Sequence, residues 1–152
     1  MIQQQLEQDL KAAMLAGDTK RVTVLRSLKS AITYALVAGK TKVDSLSDDK
    51  ILQLFAKEAK RRQEGADGFA QAGNQGQAKE ELAEKAIIET YLPPALSEEE
   101  VIKIVDDVVA GLDEVSLSPQ AMGQAIGQVK AKVGSQAEGA LIARLVKERL
   151  QS

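Results

Sequence analysis

Apolar residues return every three or four positions along most of this chain. Leu6, Leu10, Ala13 and Met14 form one such series, and Val22, Leu25, Ile32 and Leu36 form a second that Lys29 interrupts. Ile51, Leu54, Phe55 and Ala59 form a third. That step is the spacing of one face of an α-helix. It resumes in the last third as Val101, Val105, Val108 and Leu112, then Met122, Ile126, Val129 and Val133, then Leu141, Ile142, Leu145, Val146 and Leu150. The valine-rich stretch 101–109 lacks the two-residue alternation of a strand and follows a helix start. The expected fold class is therefore all-α.

Serines mark the helix starts. Ser47, Ser97 and Ser118 each stand where a hydroxyl accepts from the unsatisfied N–H groups of a first turn. Leu46, Leu96 and Leu117 precede them, spaced to staple against Ile51, Val101 and Met122. Glu100 completes a capping box with Ser97, and Ser135 with Glu138 reads as another. Asp48, Asp49, Glu98 and Glu99 bring negative charge to positive dipole ends, and Pro119 sits where its missing N–H costs nothing. Gly17, Gly39, Gly111 and Gly134 fall just past the periodic segments and are expected to close helices in the left-handed conformation.

These signals place four helices at about 3 to 16, 19 to 38, 47 to 72 and 76 to 91, the third interrupted near Gly65 or Gly68. Three more follow at about 98 to 110, 119 to 133 and 136 to 150. Between the two sets lies Tyr91-Leu92-Pro93-Pro94-Ala95-Leu96, where two prolines cannot continue a helix and the first pushes Leu92 out of helical geometry. The expected organisation is an N-terminal helical domain over 1–92, joined by the Pro-Pro linker to a small C-terminal three-helix bundle over 97–152.

Composition narrows the chemistry. The 152 residues include 20 Lys plus Arg and 22 Asp plus Glu, but no His and no Cys. No side chain has an ordinary pKa near neutrality, and there is no thiol for nucleophilic attack, a disulfide, thiolate zinc or an iron-sulfur cluster. No catalytic residue, metal or cofactor is expected. No apolar run approaches the ~20 residues that span a bilayer. The first residues, Met1 to Glu7, have neither the basic nor the apolar region of a secretory signal. A cytoplasmic protein without a membrane partner is expected.

Several local patterns have plain explanations. Gly39-Lys40-Thr41 mimics the end of a phosphate-binding loop, but Tyr34 stands where the first glycine belongs. Glu98-Glu99-Glu100 is accounted for by capping, and Asp106 and Asp107 diverge by about 100° on a helix. Lys57, Lys60, Arg61 and Arg62 form a basic cluster that either binds phosphate or, as favoured here, pairs with Glu58 and Glu64. Ala121, Gly123, Ala125 and Gly127 make a small-residue strip, read first as a site of close helix packing and second as a seat for a partner backbone.

Charge is segregated near the C-terminus. Residues 97–114 carry a net charge of minus six, whereas from Val115 onward the net is plus three. Lys130, Lys132, Arg144 and Lys147 gather around the Gly134 turn, where helix-terminal N–H groups add to the positive potential. No aromatic follows Tyr91, so RNA contacts there fall on phosphates, sugars and shape rather than on stacked bases.

A family resemblance draws these pieces together. Leu25-Arg26-Ser27-Leu28, Leu46-Ser47-Asp48-Asp49, Lys57 through Glu64 and Phe69 with Ala72-Gly73 match the pattern in the first part of the chain. Glu89-Thr90-Tyr91-Leu92-Pro93, Met122-Gly123, and Gly139 with Leu145-Val146-Lys147 and Leu150 match it in the rest. Over almost its whole length the sequence resembles the bacterial YqeY proteins. The C-terminal module of that family is similar to the tail of the B subunit of the tRNA-dependent amidotransferase, and the resemblance implies that such a tail helps hold tRNA. It implies a binding module without the kinase and amidase domains of that enzyme. Gln124 and Ser135-Gln136 stand where the family commonly has basic residues.

The resulting expectation is a non-catalytic tRNA- or RNA-binding accessory protein that uses Lys130, Lys132, Gly134, Arg144 and Lys147. The alternative is a protein-interaction adaptor docking through apolar residues left over on the N-terminal helices, such as Val24 and Val37. A carbon-nitrogen ligase using glutamine as amide donor is the reading that composition supports least.

Overall fold

The computed structural model describes residues 1–39, 45–113 and 118–151. Among these there are seven α-helices and no strand. In chain order they are α1 (Ile2–Ala16), α2 (Thr19–Ala38), α3 (Asp48–Gln71), α4 (Gln75–Glu89), α5 (Glu98–Ala110), α6 (Pro119–Val133) and α7 (Gly139–Gln151), with one 3-10 turn at Gly134–Gln136. The chain divides into two compact units, Met1–Leu92 and Pro93–Ser152.

Helix starts follow the local chemistry. The Ser97 hydroxyl accepts from the Glu100 N–H at 3.2 Å while Glu100 accepts from the Ser97 N–H at 2.8 Å, a complete capping box. Ser47 and Ser118 accept from Lys50 and Ala121. Asp18 and Asn74 cap α2 and α4 in the same way, two caps that the sequence pattern did not single out. Leu46 packs in the core that contains Ile51, and Leu96 in the one that contains Val101. Leu117 lies outside the described residues, as do Lys40 and Thr41.

Helix ends depart from expectation. Only Gly17 of the four glycines closes a helix in the left-handed region, at φ 70° and ψ 20°. Gly39 is extended, at φ −69° and ψ 137°, and Gly111 is right-handed, at φ −89° and ψ 0°. Gly134 has φ 56° but ψ −125°, which leads into the 3-10 turn. The Ser135–Glu138 capping box does not form, and α7 starts at Gly139 instead of 136. Tertiary bonds explain this: Leu96 N–H donates to the Gln136 carbonyl at 2.9 Å, and the Gln136 side-chain amide donates to the Pro94 carbonyl at 3.1 Å. Those bonds hold Gln136 out of the helix.

In the first unit, Leu6, Leu25, Leu28, Ile32, Ile51, Phe55 and Ile88 are fully or almost fully buried. α3 and α4 pair as a hairpin, and α3 runs through Gly65 and Gly68 without a break. Gly65 faces α4 so closely that a Cβ there would lie 3.2 Å from the Glu81 carboxylate. Close packing thus offsets the helix-weakening cost of a glycine. The basic cluster is largely self-contained: Arg61 pairs with Glu58 at 3.0 Å, and Arg62 meets Glu58 at 3.5 Å and Glu84 at 2.9 Å. This favours the ion-pairing account, although Glu84 on α4 takes the place expected of Glu64.

Tyr91 ends the unit with an aromatic anchor. Its ring meets Phe55 edge-on at 5.6 Å between centroids, and its hydroxyl donates to Asp9 on α1. Burial first, then the hydrogen bond and charge of Asp9, push the phenol well above its ordinary value of 10.0. A raised folded-state value means that this contribution to stability is intact below pH 10.0 and fades as pH rises beyond it. Tyr91→Phe is expected to cost about 1 kcal/mol at pH 7 through the lost hydrogen bond. Urea unfolding of both proteins from pH 7 to 11 checks it: their difference should shrink above pH 10.0, and a constant difference would count against the linkage.

The second unit buries Val101, Val105 and Val108 of α5, Ala125, Val129 and Val133 of α6, and Ile142, Leu145, Val146 and Leu150 of α7. Every one lies on a periodic face of the sequence except Ala125, which belongs to the small-residue strip. A three-helix core of this kind needs no staple, in keeping with the absence of cysteine.

Candidate nucleic-acid interface

Lys130 and Lys132 occupy the last turn of α6, where cations complement the negative end of the helix dipole. Beyond them the Gly134 N–H returns to the Lys130 carbonyl, and the 3-10 turn carries the chain to α7. The Lys130 ammonium folds across to this second helix start: its Nζ lies 3.6 Å from where a Cβ on Gly139 would be. A cation is thereby set beside the positive end of α7, an arrangement that favours an anion nearby. Glu138 immediately precedes α7 and supplies one negative charge at this place. Lys130, Lys132 and Lys147 make no ion pair among the described residues.

Arg144 is placed differently. Its guanidinium donates to Glu98 on α5 at 2.9 Å and to Glu148 at 3.1 Å. The hydrogen bond to Glu98 first, then that to Glu148, raises its pKa further above the ordinary arginine value. Arg149 pairs with Asp106, also on α5. The acidic and basic stretches seen in the sequence therefore meet across the α5–α7 contact, and Arg144 and Arg149, two of the five cations that follow Val115, serve that contact. The structure thus brings Lys130 to the Gly134 turn, with Lys132 in the same last turn of α6, and commits Arg144 to carboxylates. Lys147 stays exposed on α7.

The small-residue strip splits in two. Ala121 and Ala125 turn into the core at 6% and 0% exposure, whereas Gly123 and Gly127 are exposed and a Cβ on either would meet nothing within 4 Å. Close helix packing, the first reading of these glycines, is therefore overturned. The pattern of residues signalled this: Gly123, Gly127 and Lys130 stand at i, i+4 and i+7, one stripe of α6 that leads to Gly134. Replacing both glycines by alanine should raise stability by about 0.5–1 kcal/mol each, since the only change is backbone freedom lost by the unfolded chain and helix propensity. Thermal unfolding checks this, and a lowered midpoint would show a neighbour that the fold does not reveal.

No group of three or more Asp, Glu, His or Cys among the described residues is placed to hold a metal ion. No helix among them is long and apolar enough to cross a membrane. Val24, expected to be left over for a partner, is buried at 1% exposure because α2 packs against α1, α3 and α4. Val37 is 79% exposed.

A family model described as Yqey-like protein matches residues 3–150. The chain is 34% identical over 97 residues to altered inheritance of mitochondria protein 41, mitochondrial, of Eremothecium gossypii, covering 62% of this chain and 52% of that protein. It is 34% identical over 113 residues to a glutamyl-tRNA(Gln) amidotransferase subunit of Aeropyrum pernix, covering 72% of this chain and 17% of that relative. A Kluyveromyces lactis protein with the same name as the first is 31% identical over 129 residues, 84% of this chain and 68% of its own length. The chain thus spans about half of the first relative and a minor part of the second.

Proposed function

The chain belongs to the YqeY-like family, and from that premise we propose that it is a non-catalytic accessory protein whose C-terminal unit binds tRNA through phosphate contacts. The observation that carries this is the Lys130 ammonium at the start of α7, with Lys132 and Lys147 also unpaired among the described residues. The bare Gly123–Gly127 stripe supports it by letting a sugar-phosphate backbone approach α6 closely. A relative named as part of a glutamyl-tRNA(Gln) amidotransferase makes tRNA the RNA to test first. Recognition is of phosphates and shape, since no aromatic follows Tyr91.

Titration of labelled tRNA at several salt concentrations tests the proposal. Three phosphate contacts predict a log-log slope of about −2 to −3. Lys130→Gln with Lys132→Gln and Lys147→Gln should flatten the slope and weaken binding at least about tenfold at low salt. Arg144 joins the surface only by giving up Glu98, so Arg144→Gln should change affinity less than Lys147→Gln. Unchanged affinity in the triple variant would remove these lysines from the surface. The Gly123→Ala, Gly127→Ala double variant provides a second measure, gaining stability while losing affinity.

A protein-adaptor reading rests on a different observation. Leu15, Tyr34 and Val37 are 90%, 77% and 79% exposed, all in the first unit. The described residues of the second unit expose no large hydrophobic side chain. A partner captured after nuclease treatment, and lost on Tyr34→Ser with Val37→Ser, would favour it. Glutamine-dependent ammonia release by the pure chain is expected to be nil.

A further inference from the structure

Between the C-terminal end of α2 and the first turns of α3, the first unit holds a cavity of about 440 Å³. Its floor is apolar, formed by Leu36, Leu46 and Leu54, which also lie against the unit's core. Among the described residues its polar wall comes from α3. Lys50 and Lys57, seven residues apart and so on one face of the helix, flank the Gln53 amide. No carboxylate among the described residues lines the cavity.

The two lysines differ from their neighbours. Arg61 and Arg62, at the next turn of α3, are taken up by Glu58 and Glu84. Lys50 and Lys57 make no ion pair among the described residues. Cavities of roughly 300–1,000 Å³ with an apolar lining and a few convergent polar groups are the usual form of a small-ligand site. Among the described residues the charge lining the cavity is of one sign. A neutral apolar ligand would leave both ammonium groups unused, and a cation would meet them with repulsion. The geometry points to this cavity as a binding site for an amphiphilic anion: an acyl chain seated on Leu36, Leu46 and Leu54, its carboxylate held by Lys50 and Lys57 through their flexible stems. The site lies in the first unit and is independent of RNA binding by the second.

Decanoate is the probe. Titrated into the isotopically labelled full chain, it should produce saturable amide shifts centred on the end of α2 and the first turns of α3. Decyltrimethylammonium, with a chain of the same length and the opposite charge, should bind at least about tenfold more weakly, the combined effect of two exposed charge contacts. Lys50→Gln with Lys57→Gln should weaken decanoate binding about tenfold while leaving the urea midpoint unchanged, since glutamine matches lysine in helix propensity. Lys50→Arg with Lys57→Arg should restore binding. The proposal is overturned by the absence of saturable shifts at millimolar decanoate, by shifts centred elsewhere, or by equal binding of the two head groups.

Discussion

Phe55→Ala is expected to destabilise the first unit by about 3–5 kcal/mol, the range for deleting a large aromatic from a packed core. Phe55 is 0% exposed and lies among Leu6, Leu25, Leu28, Ile32, Ile51 and Ile88, residues contributed by all four helices of the unit. Its ring also supports Tyr91, so the substitution removes an aromatic contact in addition to apolar burial. A loss of this size is a large share of the ~5–15 kcal/mol that holds an ordinary domain folded. Urea unfolding followed by circular dichroism checks it, with Phe55→Leu as the milder comparison. A loss below ~1 kcal/mol would mean that the four helices close over the vacated volume.

The second large effect is electrostatic. Arg62 side-chain atoms are 20% exposed, and the two carboxylates it meets, Glu58 and Glu84, are 15% and 26% exposed. The 2.9 Å approach of Nε to Glu84 is a charge contact rather than an aligned hydrogen bond, while Nη2 donates to the Ser27 hydroxyl at 3.4 Å. Arg62→Ala leaves the largely buried Glu84 carboxylate without a cation and Glu58 with the exposed Arg61 alone. Breaking a fully buried pair costs ~3–5 kcal/mol, and partial exposure reduces the expected loss here to about 2–3 kcal/mol. Arg61→Ala, which removes a partner that is 65% exposed, should cost no more than about 1 kcal/mol. A double-variant cycle with Glu84→Gln separates the causes. If the unpaired carboxylate dominates, Glu84→Gln partly rescues Arg62→Ala; strictly additive losses would assign the effect to packing of the arginine stem.

Local signals in this chain were readable because they act within one helical turn. Ser97 and Glu100 satisfy each other's backbone across three residues, and no distant part of the protein is needed to interpret them. Periodicity is local in the same sense: Val101, Val105 and Val108 share a face wherever that helix packs. The glycines were harder to place. Gly17 closes its helix as its position suggests, but Gly39 and Gly111 do not, since the conformation after a helix depends on where the chain must go next. Gln136 shows the same dependence: bonds to Pro94 and Leu96, some forty residues earlier, hold it out of α7.

For the candidate surface the division is sharper. An all-α chain, most of its helix starts and the segregation of charge in its last third were legible in the order of residues, because each follows from neighbours in sequence or from simple counting. Which charges remain available was settled by packing between helices. Arg144 finds Glu98 across 46 residues and leaves the Gly134 turn, while Lys130 bends toward Gly139. Packing also turned Gly123 and Gly127 outward and Val24 inward. The physical reason is that charge pairing and burial are set by distance in space, and in a helical bundle the residues that meet across a contact are separated by whole helices in the chain.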